Sequence, residues 1–153
     1  MWETIGFSKL LTENEISEIL NLLFSKIEFQ KVDFESIGET KVDLVNVGFF
    51  MYFTNSDFPT RIEILFPNKE HTSEREQFIA YILSLKLNCK TIVGYQEKDS
   101  VDPFLNLVFE KGKIFLADDE ESKYADDGEN EIRIINELDY KISWQFDEYG
   151  SKI

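Results

Sequence analysis

Phe104-Leu105-Asn106-Leu107-Val108-Phe109, then Glu110-Lys111-Gly112, then Lys113-Ile114-Phe115-Leu116-Ala117 is the stretch that decides the fold. Two β-prone runs separated by a glycine-bearing turn spell a hairpin, because Gly112 can take the positive φ that a tight turn requires. The second run leads straight into Asp118-Asp119-Glu120-Glu121, and from Asp118 to Glu131 eight carboxylates stand against one base, Lys123. The hairpin is therefore expected to present acid at its far end.

Working back towards the start, Leu11-Thr12-Glu13-Asn14-Glu15-Ile16 reads as a helix beginning. Thr12 caps, Glu15 completes a capping box, and Leu11 staples onto Ile16. Ile16, Ile19, Leu20, Leu23, Phe24 and Ile27 then form one apolar stripe, which needs a sheet to cover. The sheet is expected to begin at Glu28 to Glu35 and to continue through Lys41 to Thr54. There Val45, Val47, Phe49, Met51 and Phe53 share a face at period 2, with Gly48 a candidate bulge. Thr60 to Phe66 alternates as another strand, ended by Pro67. Ser73 and Glu76 suggest a second capping box, opening a helix that carries Phe78, Ile79, Ile82 and Leu83 inward and stops near Asn88. Thr91 to Tyr95 is a short strand, and Gln96 to Pro103 a polar loop with Glu97, Asp99 and Asp102.

Beyond the acidic stretch, Ile142, Trp144 and Phe146 alternate as a strand, while Leu138, Ile142, Phe146 and Tyr149 also fit a helix. β-branched and aromatic content favours strands at Glu131 to Ile135 and Tyr140 to Phe146. No repeat and no Gly/Ser/Pro-rich linker divides the 153 residues, so one α+β domain is expected: a mainly antiparallel sheet with two amphipathic helices packed on it.

Composition excludes several functions. A net charge of −14 repels a phosphate backbone, so nucleic acid is not an expected partner. The opening Met1-Trp2-Glu3-Thr4 lacks the basic and apolar regions of a signal peptide, and no uncharged run approaches the roughly eighteen residues that span a bilayer. Neither a membrane nor export is expected. The lone Cys89 excludes an internal disulfide and, with the lone His71, a Cys/His zinc site, which fits a reducing cytoplasm.

Chemistry-bearing patterns are equally sparse. The seven glycines are scattered singly, so no phosphate-cradling loop exists. His71, in the polar lead-in to a helix, is expected to be exposed, and Cys89 to be a small buried hydrophobe. Asp126-Asp127-Gly128-Glu129 fails the calcium-loop template, because the first, third and twelfth ligand positions would be Lys123, Ala125 and Ile134. Asp118, Asp119, Asp126 and Asp127 could form only a looser cation site. No catalytic residue, metal or cofactor is expected.

What remains is the acidic stretch, either a solvated loop or a docking surface for a basic protein. Anchorage to a strand at Ala117 and the aromatic Tyr124 inside the run favour docking, with Asp118, Asp119, Glu120, Glu121, Tyr124, Asp126, Asp127 and Glu129 as the contact set. In general build the chain resembles the small, acidic, cytoplasmic immunity proteins that bacteria carry beside polymorphic or contact-dependent toxins. The Asp102-Pro103-Phe104 hairpin, Gly112-Lys113 and Asp118-Asp119 carry most of that likeness. The resemblance implies a protein without catalysis of its own that binds one cognate toxin domain, such as a basic nuclease. The alternative expectation is a small-ligand-binding or enzymatic domain with a pocket between sheet and helices.

Overall fold

The computed structural model of the chain describes residues 2–32, 46–96, 102–125 and 128–153. In chain order these form β1 (Glu3–Phe7), α1 (Glu13–Leu23), β2 (Glu28–Lys31), β3 (Asn46–Phe53), β4 (Thr60–Leu65), α2 (Thr72–Leu87), β5 (Thr91–Gly94), β6 (Leu105–Glu110), β7 (Lys113–Asp118) and β8 (Arg133–Glu137). The strands make one sheet in the order β2-β3-β4-β1-β5-β6-β7-β8. Every neighbouring pair is antiparallel except β2 and β3, so the α+β class read from the sequence stands. The expected strand portions 33–35 and 41–45, and Glu97 and Asp99, lie outside the described residues.

The hairpin forms as its sequence requires. Glu110 pairs with Lys113, leaving a two-residue turn in which Lys111 and Gly112 both have positive φ, at 51° and 80°. That geometry matches the right-handed twist of the strands it joins. Helix α1 also begins as read: the Thr12 hydroxyl accepts from the Glu15 N–H while the Glu15 carboxylate accepts from the Thr12 N–H. Its buried Ile16 and Leu20, with Leu11, Phe24 and Ile27, join the main core.

Four expectations need correction. The sheet does not begin at Glu28, because β1 lies at its centre between β4 and β5. Glu3 and Gly6 both lower the β-propensity of that short run, and tertiary contacts outweigh them. The register of β3 runs unbroken through Gly48 to Phe53, and the irregularity lies instead between Leu116 and Ala117, against β8. Ser73 and Glu76 form no capping box. Helix α2 starts at Thr72 behind a left-handed His71, with φ 57°, so Glu76 falls beyond the position that reaches back to the cap.

The fourth correction is Tyr140 to Phe146, which is no ladder strand; Phe146 makes one isolated bridge, to Lys152. The alternation is nonetheless real, for Tyr140, Ile142, Trp144 and Phe146 all turn inward while Lys141, Ser143 and Gln145 are exposed. They pack on α2: Trp144 Nε1 donates to Glu74 O at 2.8 Å, Tyr140 Oη to Gln77 Oε1 at 2.8 Å, and the Phe78 and Phe146 rings lie 5.3 Å apart. Helix α2 is thus covered by β1, β5 and β6 on one side and by the C-terminal segment on the other.

One buried ion pair joins these parts. Arg75 of α2, 1 % exposed, donates from Nε to Glu3 Oε1 at 2.8 Å, from Nη1 to Gly150 O at 3.0 Å and from Nη2 to Asn68 O at 2.7 Å. Its guanidinium carbon stands 4.0 Å from the centre of the Phe66 ring. Arg75→Ala should lower unfolding free energy by about 3–5 kcal/mol, because it strands the Glu3 carboxylate in the core. The double replacement Glu3→Leu with Arg75→Met should cost clearly less than the single one in urea titration. A double variant as unstable as the single would show that the charge itself was not the issue.

Candidate functional site: the acidic strap and the cavity beneath it

Residues 119–125 and 128–132, the described part of a strap between β7 and β8, lie on the side of the sheet away from α1 and α2. Backbone hydrogen bonds tie this strap to the body and to itself. The Asp119 N–H donates to Phe104 O at 2.9 Å, Lys123 N–H to Asn130 O at 2.9 Å and Asn130 N–H to Glu121 O at 3.0 Å. At the far end the Ile132 N–H donates to Asp57 Oδ2 at 2.9 Å. Ser122 is fully buried, and Gly128 lies so close to the Glu121 carbonyl that any side chain there would collide with it.

The predicted contact set divides on this strap. Glu120, Glu121 and Glu129 are exposed. Asp118 is occupied locally: Oδ1 accepts from the Glu120 N–H at 2.8 Å and Oδ2 from Arg133 Nη2 at 3.2 Å. Asp119 turns inward, where its Oδ2 accepts from Asn106 Nδ2 at 2.8 Å. Asp126 and Asp127 lie outside the described residues. Among the described residues no three His, Cys, Asp or Glu side chains converge as a metal site would require.

Tyr124 requires a correction. Read as a surface anchor, it is 8 % exposed and forms a second core with Phe58, Ile92, Val108 and Ala117. Its ring meets Phe58 edge to face at 5.8 Å and approaches Gly6 so closely that an added Cβ there would come within 2.7 Å of its hydroxyl. Acidic neighbours in sequence suggested solvent, but the strap is a lid, and a lid must bury something on its underside. Burial pushes the Tyr124 hydroxyl well above the ordinary tyrosine range, with Arg61 pulling the other way.

Below Tyr124 the sheet is split. β1 and β5 pair only at Gly6↔Ile92 and Phe7↔Thr91. Continued, that register would set Thr4 against Gly94, but the Thr4 N–H donates instead to Glu76 Oε2 at 2.9 Å. A carboxylate from α2 stands where a strand carbonyl would be. The gap opens into a cavity of about 630 Å³ lined by Thr4, Arg61, Glu76, Asn106, Asp119 and Tyr124 among others. Burial pushes the Glu76 carboxyl up to about 8, against the Thr4 N–H and with some help from Glu3.

Arg61 lies on β4 between the buried Thr60 and Ile62. Its guanidinium carbon stands 4.6 Å from the Tyr124 ring centre and 5.8 Å from that of Tyr52. Its Nε is buried without a hydrogen-bond partner, and no carboxylate among the described residues pairs with it. Nothing local in the sequence marks Arg61 or Glu76, because the split that unites them arises from strand pairing. The other reactive groups are remote from this site: His71 is exposed beside Glu74, and burial holds the Cys89 thiol up at about 11.

Tyr124→Ala should destabilise the fold by about 3–5 kcal/mol in urea, as loss of a core aromatic does. A loss near zero would return Tyr124 to the surface. Glu76 at about 8 and Glu3 at about 7 both sit above the ordinary 4.5, so the folded chain binds these protons more tightly than the unfolded one. The stability they confer is complete below the ordinary carboxylate value and is lost as pH rises through 7 and 8. Tm should therefore fall as pH rises from about 4.5 to about 8 and level off above that, and Glu76→Gln should flatten the upper part of the fall. Equal slopes in both proteins would refute the raised carboxyl. Comparison with known proteins found no matching family model, no similar curated protein and no similar solved structure.

Proposed function

We propose that the protein is a non-catalytic binding protein that captures a basic partner on its acidic strap, as an immunity protein would neutralise a basic toxin domain such as a nuclease. The observation that carries this reading is the pinning of the strap. The stretch from Asp118 to Glu131, with eight carboxylates and Lys123 as its base, holds half of the chain's net charge of −14. The Asp119 and Ile132 N–H groups anchor its described part to Phe104 and Asp57, and bonds at Lys123 and Asn130 brace it internally. A fixed field serves fast capture, since opposite charge can raise association from about 10⁵–10⁶ to about 10⁸–10⁹ M⁻¹s⁻¹. It also spares the partner the entropy of ordering a loop.

A small-ligand site is the second reading, and the cavity in the split sheet is the observation that favours it.

The docking reading is tested with Glu120→Lys, Glu121→Lys and Glu129→Lys combined, three exposed positions whose change spares Tyr124 and Asn106. The native chain should retain a basic protein from its host's extract at low salt and release it progressively as salt rises. The triple variant should melt at the same temperature yet slow association with that protein by about 10- to 1,000-fold. Undiminished association would reject the strap as the docking face.

A further inference from the structure

The cavity in the split sheet carries recognition chemistry of its own, separate from whatever docks on the strap's outer side. Resting on the small-ligand reading of that cavity, we propose that it binds a small organic monocarboxylate, with the carboxylate held by the Arg61 guanidinium and an apolar body against Tyr95, Pro103 and Leu105.

Arg61 is the only cation among the described residues that line the cavity. Its guanidinium carbon stands 4.6 Å from the Tyr124 ring centre and 5.8 Å from that of Tyr52, and its Nε is buried without a hydrogen-bond partner. The two rings hold the planar group in place but accept none of its N–H donors in a fork. A carboxylate takes two such donors at once, and a guanidinium already fixed loses little freedom in the process. A buried charged donor without an acceptor is costly, so the cavity favours a ligand that supplies one.

The acids of the cavity are answered from within the protein. Asp119 accepts from Asn106 Nδ2 at 2.8 Å and Asp102 from the Phe104 N–H at 2.9 Å, so neither is asked to hold the ligand. Glu76 Oε2 accepts from the Thr4 N–H at 2.9 Å, and burial pushes its carboxyl up to about 8, which leaves it mostly uncharged at neutral pH. One guanidinium therefore answers one negative charge. A phosphate group brings roughly one and a half to two, with no second cation on these walls to meet the excess. An uncharged molecule would leave the guanidinium unanswered. The Tyr95 ring, Pro103 and Leu105 supply apolar surface for the rest of the ligand, and about 630 Å³ lies within the range of small-ligand pockets.

The experiment is a thermal melt of the whole chain at constant ionic strength with sodium hexanoate, octanoate, benzoate or phenylacetate at about 10 mM, beside the primary amide of each, acetate and inorganic phosphate. At least one of the four carboxylates should raise Tm by about 3 °C or more, while its amide, acetate and phosphate leave Tm unchanged. Arg61→Gln should abolish that shift, and Arg61→Lys, which keeps the charge and loses the fork, should weaken binding about tenfold or more. Should either variant fold poorly, amide chemical-shift changes in the native chain decide the matter, and they should centre on Thr4, Gly94 and Ala125 as the carboxylate is added. An amide that binds there as well as its acid would leave a ligand cavity standing and overturn the carboxylate. Stabilisation by phosphate alone, or shift changes confined elsewhere, would also overturn the proposal. No response to any of the compounds would remove the small-ligand reading together with it.

Discussion

The arrangement depends on a charge placed where charge is least welcome. Arg75 carries a full positive charge at 1 % exposure and meets it with Glu3, two backbone carbonyls and the face of Phe66. Its partners come from three separated parts of the chain: the first strand, the Phe66 to Asn68 connection between β4 and α2, and the C-terminal turn at Gly150. A pair of this kind contributes little net stability, because desolvation offsets the attraction. It does define which parts belong together, since any alternative packing would leave one of the charges buried alone. Burial pushes the Glu3 carboxyl up to about 7 against the pull of Arg75, a measure of how dry the site is. Holding β1 in the middle of the sheet is the consequence that matters most, because both the split and the bed for Tyr124 lie along that strand.

Two extended segments complete the molecule from opposite sides, and they explain where the sequence was legible. Local signals with local causes were read correctly: the Thr12 and Glu15 box, the turn at Glu110-Lys111-Gly112 with its two flanking strands, and the alternation of β4. Alternation at Tyr140 to Phe146 was read correctly as extended backbone and wrongly as a sheet member. Period 2 reports that alternate side chains face a surface, without saying whether that surface is a strand's neighbour or the back of a helix. Central β1 was missed for the complementary reason. Its Glu3 and Gly6 look unsuited to a strand until Arg75 and the Tyr124 ring are in place, and both are far away in sequence.

The site was legible in its charge and illegible in its shape. Composition located the acidic run and the strand that launches it, and hydrogen bonding accounts for why the run is held. Composition could not tell which acids face outward. Asp119 and Glu120 are adjacent and equally acidic, yet one grips Asn106 and the other is exposed. Tyr124 was misplaced because a run of charge masks a single inward residue. The cue available was Ser122 and Tyr124 alternating against Glu121, Lys123 and Ala125, the same pattern that marks the C-terminal segment. Arg61 and Glu76 carried no cue at all, since only the parting of β1 from β5 brings them to one cavity.

The strap therefore has two working sides that chemistry keeps apart. Glu120, Glu121 and Glu129 face solvent, while Asp119 and Tyr124 close the roof of the cavity over Gly6 and Arg61. Tyr124 also lines a second hollow on the strap's other flank, with Thr54, Lys123 and Glu129. The same ring thus separates two spaces. Its displacement would need the loss of its contacts with Phe58 and with the Arg61 cation together. A partner drawn to the outer carboxylates meets a surface whose underside is already committed to the core, so docking need not reshape the cavity. Conversely, a ligand beneath Tyr124 would stiffen the roof without altering the charges above it. The outer face and the inner wall are therefore separable by substitution, because no carboxylate described on the strap faces both ways.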